Sequence, residues 1–171
     1  MGILHRTKVF LPSEVLKSLY NSLIYPYLNY GIESWYGAPQ CALESVQVLQ
    51  KKAVRAINNL PYNAHTSEYF KNDRILKLGD IYKFNISSCI FNSIESPDHF
   101  SSFITTHSDI HNYNTRNNRQ LMAPFYNRSA SQSSFRYQAI TEFNSLPHEL
   151  KNAENLKNFR WNLINYYCSK Y

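Results

Sequence analysis

Glycine and cysteine are scarce in this 171-residue chain, and their scarcity excludes several kinds of site. With four glycines, the sequence has no glycine-rich loop of the kind that cradles phosphates in nucleotide-binding proteins. The three cysteines, Cys41, Cys89 and Cys168, are far apart and odd in number, which fits neither a zinc module nor a disulfide framework. We interpret them as buried thiols of a protein kept in a reducing compartment, cytoplasmic or nuclear.

Long apolar runs are also missing. No stretch of about 20 apolar residues could cross a bilayer, and the first eleven residues lack the apolar core of a signal peptide. We therefore expect no membrane partner. The charge is instead positive, with 18 Lys and Arg against 12 Asp and Glu and a pI near 9.2. This excess favours an anionic partner such as nucleic acid, although an ordinary basic protein has the same balance.

Apolar residues recur at helical spacing through the first half of the chain. The pattern predicts helices over residues 12–24 and 42–59, with a shorter helix or turn over 27–35. A further short helix is expected to begin at Thr66 or Ser67, and another at Asp80. Because strand patterns are rare here, we predict a mainly α fold with a small helical bundle over residues 10–96.

The amino-acid composition changes near Ser96, after which Ser, Asn, Thr and His become frequent. Residues 120–126 could form a short strand or extended segment, and the serine-rich run 129–134 is expected to be a loop. Helices are predicted again over 135–146 and from Asn152 or Asn155 onwards. We predict that residues 100–171 form a basic, loop-rich and partly helical C-terminal segment.

The helix around residues 49–57 separates its apolar and basic sides. Leu43, Val46, Leu49, Ala53, Val54, Ile57 and Leu60 fall on one arc at 100° per residue. Lys51, Lys52 and Arg55 fall on the other side. Such a helix would pack its apolar side on a core and present three cations outside, although a solvated face has the same pattern.

A second group of cations lies in the C-terminal segment. Residues 105–140 contain four arginines and one aspartate, a local net charge of +3. Arginine binds phosphate bidentately, and tyrosine rings offer faces on which bases stack. We therefore predict a surface for RNA or single-stranded DNA, the alternative being a flexible basic loop, formed by Arg116, Arg119, Arg128 and Arg136 with Tyr113, Tyr126 and Tyr137.

Other chemistry-bearing residues suggest ordinary packing. His107 and His111 have the i, i+4 spacing of a metal-binding pair, but no Cys or Glu nearby completes a ligand set, so no metal site is expected. Tyr25, Tyr27, Tyr30 and Trp35 are expected to pack between the first helices.

Five blocks of sequence, in order, resemble a known protein family. They are LYNSLIYPYLNYGIESW at 19–35, LQKKAVRAI at 49–57, LPYNAHT at 60–66, HNYNTR at 111–116, and SFRY at 134–137 followed by NSLP at 144–147. Together with Phe159 in a closing helix, they are similar to the thumb and following C-terminal segment of reverse transcriptases from non-LTR retrotransposons, particularly jockey-like elements. The resemblance extends from about Phe10 to Tyr167.

The resemblance does not include a catalytic centre. A reverse transcriptase holds two Mg²⁺ ions on paired aspartates of its palm, whereas the four aspartates here, Asp73, Asp80, Asp98 and Asp109, are never adjacent. The resemblance therefore implies a part that has no cofactor and does not polymerise by itself, since Mg²⁺ would belong to the absent palm.

The implied function is to grip RNA or an RNA–DNA duplex, with the rest of a reverse transcriptase as a possible further partner and no small-molecule substrate. The residues implied are Lys51, Lys52, Arg55, Tyr113, Arg116, Arg119, Arg128, Arg136 and Tyr137. The alternative is a helical protein-interaction module, or an inert remnant of a truncated element.

Overall fold

A computed structural model describes residues 2–96, 104–107 and 120–171, and these residues are mainly helical, which confirms the predicted mainly α fold. Within this part of the chain the only β pairing is an isolated antiparallel bridge between Thr106 and Leu121. The helices, numbered in chain order, are α1 Gly2–Thr7, α2 Ser13–Leu23, α3 Tyr25–Asn29, α4 Ile32–Trp35, α5 Gln40–Ile57, α6 Ser67–Asn72, α7 Leu78–Glu95, α8 Ser129–Gln132, α9 Phe135–Ser145, α10 His148–Lys151 and α11 Leu156–Ser169.

The chain divides into two compact units. The first is Met1–Tyr82 with Ile164–Tyr171, and the second is Lys83–Leu163. The last residues belong to the first unit because the Tyr171 hydroxyl donates to Asp80 Oδ2 at 2.6 Å and accepts from the Lys77 backbone N–H at 3.0 Å. The prediction from sequence placed residues 164–171 in the C-terminal segment, 100–171. The boundary predicted between residues 96 and 100 lies outside the described residues and stays a prediction.

Three helices begin directly after a proline. Pro12, Pro39 and Pro147 precede α2, α5 and α10, each with the extended backbone of a residue that flanks a helix. Proline has no N–H to leave unsatisfied and its fixed φ suits the start of a helix. Gly31 separates α3 from α4 with φ +59°, a left-handed conformation that glycine adopts without strain.

The core of the first unit forms where α1 and α2 pack on α5, with α3 against α2. Ile32, Ala53 and Val54 are completely shielded from solvent. A glutamine lies among these apolar residues. Gln50 is 2% exposed, its Nε2 donates to the Tyr20 hydroxyl at 3.0 Å and to the Leu76 carbonyl at 2.8 Å, and its Oε1 accepts from the Leu78 N–H at 3.0 Å.

The core of the second unit is centred on a fully buried phenylalanine. The Phe159 ring stacks on Phe91 at 4.2 Å between centroids and lies 6.2 Å from the ring of Phe143. Nearby, the side-chain amide of Asn144 binds both backbone groups of Leu121, accepting from its N–H at 3.1 Å and donating to its carbonyl at 2.8 Å. This pairing joins α9 to the extended residues next to the β bridge.

Three local predictions were wrong. The serine-rich loop contains the helical turn α8, because the backbone N–H groups of Ser131 and Gln132 bond to the Arg128 carbonyl. Helix α7 starts at Leu78, two residues before Asp80, whose carboxylate accepts the Tyr171 hydroxyl instead. Cys41 is exposed, at the start of α5, whereas Cys168 is buried as expected.

Two tyrosines expected in the core face solvent. Tyr27 and Tyr30 are more than 80% exposed, whereas Tyr25 and Trp35 are half-buried. Helix α3 is a little over one turn long and buries only Leu28, so Tyr27, one position before it, points elsewhere. Tyr30 contributes through its backbone, since its carbonyl accepts from Trp35 Nε1 at 2.9 Å.

The buried Tyr20 hydroxyl makes the first unit sensitive to alkaline pH. Burial raises the pKa of Tyr20 to about 12, and the hydrogen bond from Gln50 offsets this rise only in part. An unfolded tyrosine ionises near 10, so the stability contributed by the neutral phenol is complete below pH 10 and is lost as the pH rises to about 12. We expect the free energy of unfolding to fall by up to about 2 kcal/mol more in the native chain than in Tyr20→Phe across this range.

Urea titrations between pH 9 and pH 12 measure this difference. The difference between the free energies of unfolding of the two proteins at each pH does not contain the contribution of the other tyrosines, which both proteins share. Parallel curves of stability against pH would show that the Tyr20 phenol is not shielded as described.

Candidate nucleic-acid interface

The cations of α5 lie on the outside of a well-anchored helix. Lys51 and Lys52 are exposed and Arg55 is half-buried, whereas Ala53, Val54 and Ile57 between and beside them are buried. The only acidic residue of α5 is Glu44, more than one turn earlier, which accepts a hydrogen bond from Gln40. The C-terminal half of the helix therefore presents positive charge alone.

The inner side of α5 differs from the predicted arc at three positions, Leu49, Gln50 and Ala56. Leu49 is 48% exposed, and Gln50 takes the buried position next to it. The hydropathy of leucine and glutamine predicts the opposite arrangement. Gln50 can be buried because its three hydrogen bonds remove most of the cost of burying an amide. Ala56, also left out of the arc, is 7% exposed.

Arg55 is held in place by the chain that follows α5. Its Nε donates to the carbonyl of Ala64 at 2.9 Å. The fixed guanidinium has little conformational freedom left to lose when it binds an anion, which favours binding. No salt bridge within the described residues involves Lys51, Lys52 or Arg55, so no carboxylate there neutralises these cations.

The three cations of α5 belong to two different concave surfaces. Lys52 and Arg55 line a pocket of about 550 Å³ together with His5 and Lys8 of the α1 region. Lys51 lines a smaller pocket of about 170 Å³ that also contains Lys77. Lys77 is itself positioned by aromatic residues, since its Nζ lies 4.0 Å from the centroid of the Tyr171 ring. The structure thus brings Lys52 and Arg55 together and sets Lys51 apart.

The contribution of His5 and Lys8 was missed by sequence reasoning. His5 lies in α1 and Lys8 directly follows it, and this helix has six residues and only one buried side chain, Leu4. So short an element produces no apolar periodicity. The one signal in the sequence that could have indicated this part of the pocket is the cluster of basic residues at positions 5–8.

The C-terminal cations are described only in part. Tyr113, Arg116 and Arg119 lie outside the described residues, so their predicted role stays a prediction. Arg128 is exposed and precedes α8, and Arg136 is half-buried in α9.

The tyrosines beside these arginines contact each other. The Tyr126 and Tyr137 ring centroids are 5.9 Å apart with the planes tilted by 51°, and both side chains are half-buried. Each ring can therefore offer at most part of its face to a base.

Neither a metal cluster nor a membrane span is found among the described residues. No group of three or more His, Cys, Asp or Glu side chains there could hold a metal ion. His107 is described, but His111, its suggested partner, lies outside the described part of the chain. No described helix is long and apolar enough to traverse a bilayer.

Comparisons with protein-family models, with curated proteins and with solved structures find no match to this chain.

Proposed function

We propose that this chain is a non-catalytic nucleic-acid-binding protein that corresponds to the thumb and C-terminal region of a non-LTR retrotransposon reverse transcriptase. It would bind RNA or an RNA–DNA duplex through the phosphate backbone. The observation that carries the proposal is the outer side of α5, where Lys51, Lys52 and Arg55 have no carboxylate partner among the described residues. The sequence blocks at residues 19–66 and 111–147 support the choice of family.

The chemistry of such binding is electrostatic. Each lysine or arginine that neutralises a phosphate releases a condensed counterion, so binding weakens as salt rises. The half-buried Arg55, oriented by the Ala64 carbonyl, suits bidentate contact, whereas the exposed lysines act as mobile point charges. In the second unit, Arg128 and Arg136 would hold a single strand, together with Tyr113, Arg116 and Arg119, which lie outside the described residues.

Binding to a labelled RNA hairpin and a labelled RNA–DNA duplex, measured by fluorescence anisotropy across a salt series, tests the proposal. We expect Lys51→Ala/Lys52→Ala to weaken duplex binding by about tenfold and to reduce the slope of log affinity against log salt by about two. Both side chains are exposed, so the fold should persist. Arg55 is left unchanged because its loss would also break the bond to Ala64.

The matched control removes two exposed cations elsewhere, in Lys157→Ala/Arg160→Ala on α11. It has the same net charge as the test variant, so a general loss of positive charge would affect both equally. Equal effects, or no binding at low salt by a folded chain, would contradict the proposal.

The alternative of a protein-interaction module has one observation in its favour. Phe10, Tyr27 and Tyr30 are each more than 80% exposed, which is unusual for large aromatic side chains. A protein partner bound there would resist salt and tolerate Lys51→Ala/Lys52→Ala. The same salt series therefore separates the two functions.

A further inference from the structure

The pocket beside α5 is lined by basic and by apolar side chains. The basic ones are His5, Lys8, Lys52 and Arg55, and none of the described residues that line the pocket is acidic. Four potential cations around one concavity, without a carboxylate, favour an anionic ligand. The volume of about 550 Å³ lies within the range of about 300–1,000 Å³ that is typical of small-molecule sites.

The apolar residues of the pocket lie where α5 ends. They are Ala56, Leu60, Pro61 and Tyr62. Asn59 adopts a left-handed backbone with φ +49°, and the Leu60 N–H bonds to the Arg55 carbonyl at 2.9 Å, which ends the helix at this point. The apolar part of the pocket therefore belongs to the helix terminus, and the Tyr62 side chain is 79% exposed.

An anion alone does not account for this construction. A bare phosphate needs donors but gains nothing from apolar residues or an exposed tyrosine ring. The convex backbone of a duplex would need only the cations on the outer side of α5. A nucleotide has both parts, a phosphate for the basic residues and a flat base that stacks on an aromatic ring.

We propose that this pocket binds one nucleotide of a single-stranded RNA or DNA segment, with the base against Tyr62, Leu60 and Pro61 and the phosphate at Lys8, Lys52 and Arg55. The inference rests on the proposed nucleic-acid function and adds a site for an unpaired nucleotide next to the duplex-binding side of α5. Tyr62 and Lys8 line this pocket and Lys51 does not, so Tyr62 and Lys8 distinguish single-strand binding from duplex binding, whereas Lys52 and Arg55 contribute to both.

Anisotropy with a labelled single-stranded oligonucleotide and a labelled RNA–DNA duplex tests this separation. Tyr62→Ala is expected to weaken single-strand binding by about tenfold and duplex binding by less than about twofold, and Tyr62→Phe should keep the native affinity because the ring remains. Lys8→Ala should lower the salt slope of single-strand binding by about one. Lys157→Ala, which removes an exposed cation on α11, is the control and should leave single-strand binding unchanged. Tyr62 is so exposed that these variants should fold normally.

Competition experiments test whether the pocket recognises a whole nucleotide or only its phosphate. Adenosine monophosphate should displace the oligonucleotide at concentrations where inorganic phosphate does not, and displacement by both equally would overturn the role of the base. Salt-dependent duplex binding with no effect of Tyr62→Ala on the single strand would overturn the pocket and leave the proposed function standing. Binding of adenosine monophosphate by a folded chain that binds neither the single strand nor the duplex would overturn both the proposed function and the strand as the source of the nucleotide.

Discussion

Phe159→Ala is expected to lower the free energy of unfolding of the second unit by about 3–5 kcal/mol. The ring is completely buried, stacked on Phe91 and close to Phe143, so its removal leaves a cavity that two rigid rings cannot fill. The loss of aromatic stacking adds to the loss of buried area.

Trp161 provides a local reporter for this experiment, because it belongs to the same unit as Phe159, whereas Trp35 belongs to the first unit. In a Trp35→Phe background, urea unfolding followed by tryptophan fluorescence reports on the second unit. Arg160→Ala, an exposed neighbour on α11, is the control and should change stability by less than about 0.5 kcal/mol. A Phe159→Ala effect as small as that of the control would contradict the described packing.

Gln50→Leu is expected to destabilise the first unit by about 3 kcal/mol, although leucine is more apolar and similar in size. The amide satisfies the buried Leu76 carbonyl and the Leu78 N–H, and leucine would leave both without a partner. Each such orphaned group costs about 1–3 kcal/mol, which exceeds the gain from burying more apolar surface.

Unfolding followed through Trp35 in a Trp161→Phe background measures this loss. Gln47→Leu, the same exchange about one turn earlier at a half-buried position, should change stability by less than about 0.5 kcal/mol. Tyr20→Phe removes a single bond of the network and should cost about 1 kcal/mol at neutral pH. If Gln50→Leu were as stable as the native chain, the glutamine would not be holding the turn before α7.

Much of the helical layout could be predicted because the signals are local. Pro12 precedes α2 and Pro39 precedes α5, and the apolar spacing of α2, α5 and α9 identifies their extents to within two residues. The short helices α1, α8 and α10 were missed, since four to six residues carry no periodic pattern. Their existence depends on the chain packed around them.

The candidate site was predictable only along one helix. The outward position of Lys51, Lys52 and Arg55 follows from helix geometry, and the structure agrees with it. Lys52 and Arg55 line one pocket, and Lys51 lines another. This separation depends on the positions of α1 and of residues 60–62. No pattern within α5 contains that information. The same limit explains Gln50, whose burial depends on Tyr20, Leu76 and Leu78 on other segments.

The pairing of Asn144 with Leu121 shows how a helix can take the place of a neighbouring strand. A primary amide is the side-chain group that donates and accepts in one plane as a peptide unit does, so Asn144 completes for Leu121 the two bonds that an adjacent strand would supply. Aspartate at this position would set an anion against the Leu121 carbonyl, and a longer glutamine would displace the amide from both groups. The extended conformation at Leu121 is therefore stabilised by one side chain of a helix, that of Asn144, which lies 23 residues further along the chain.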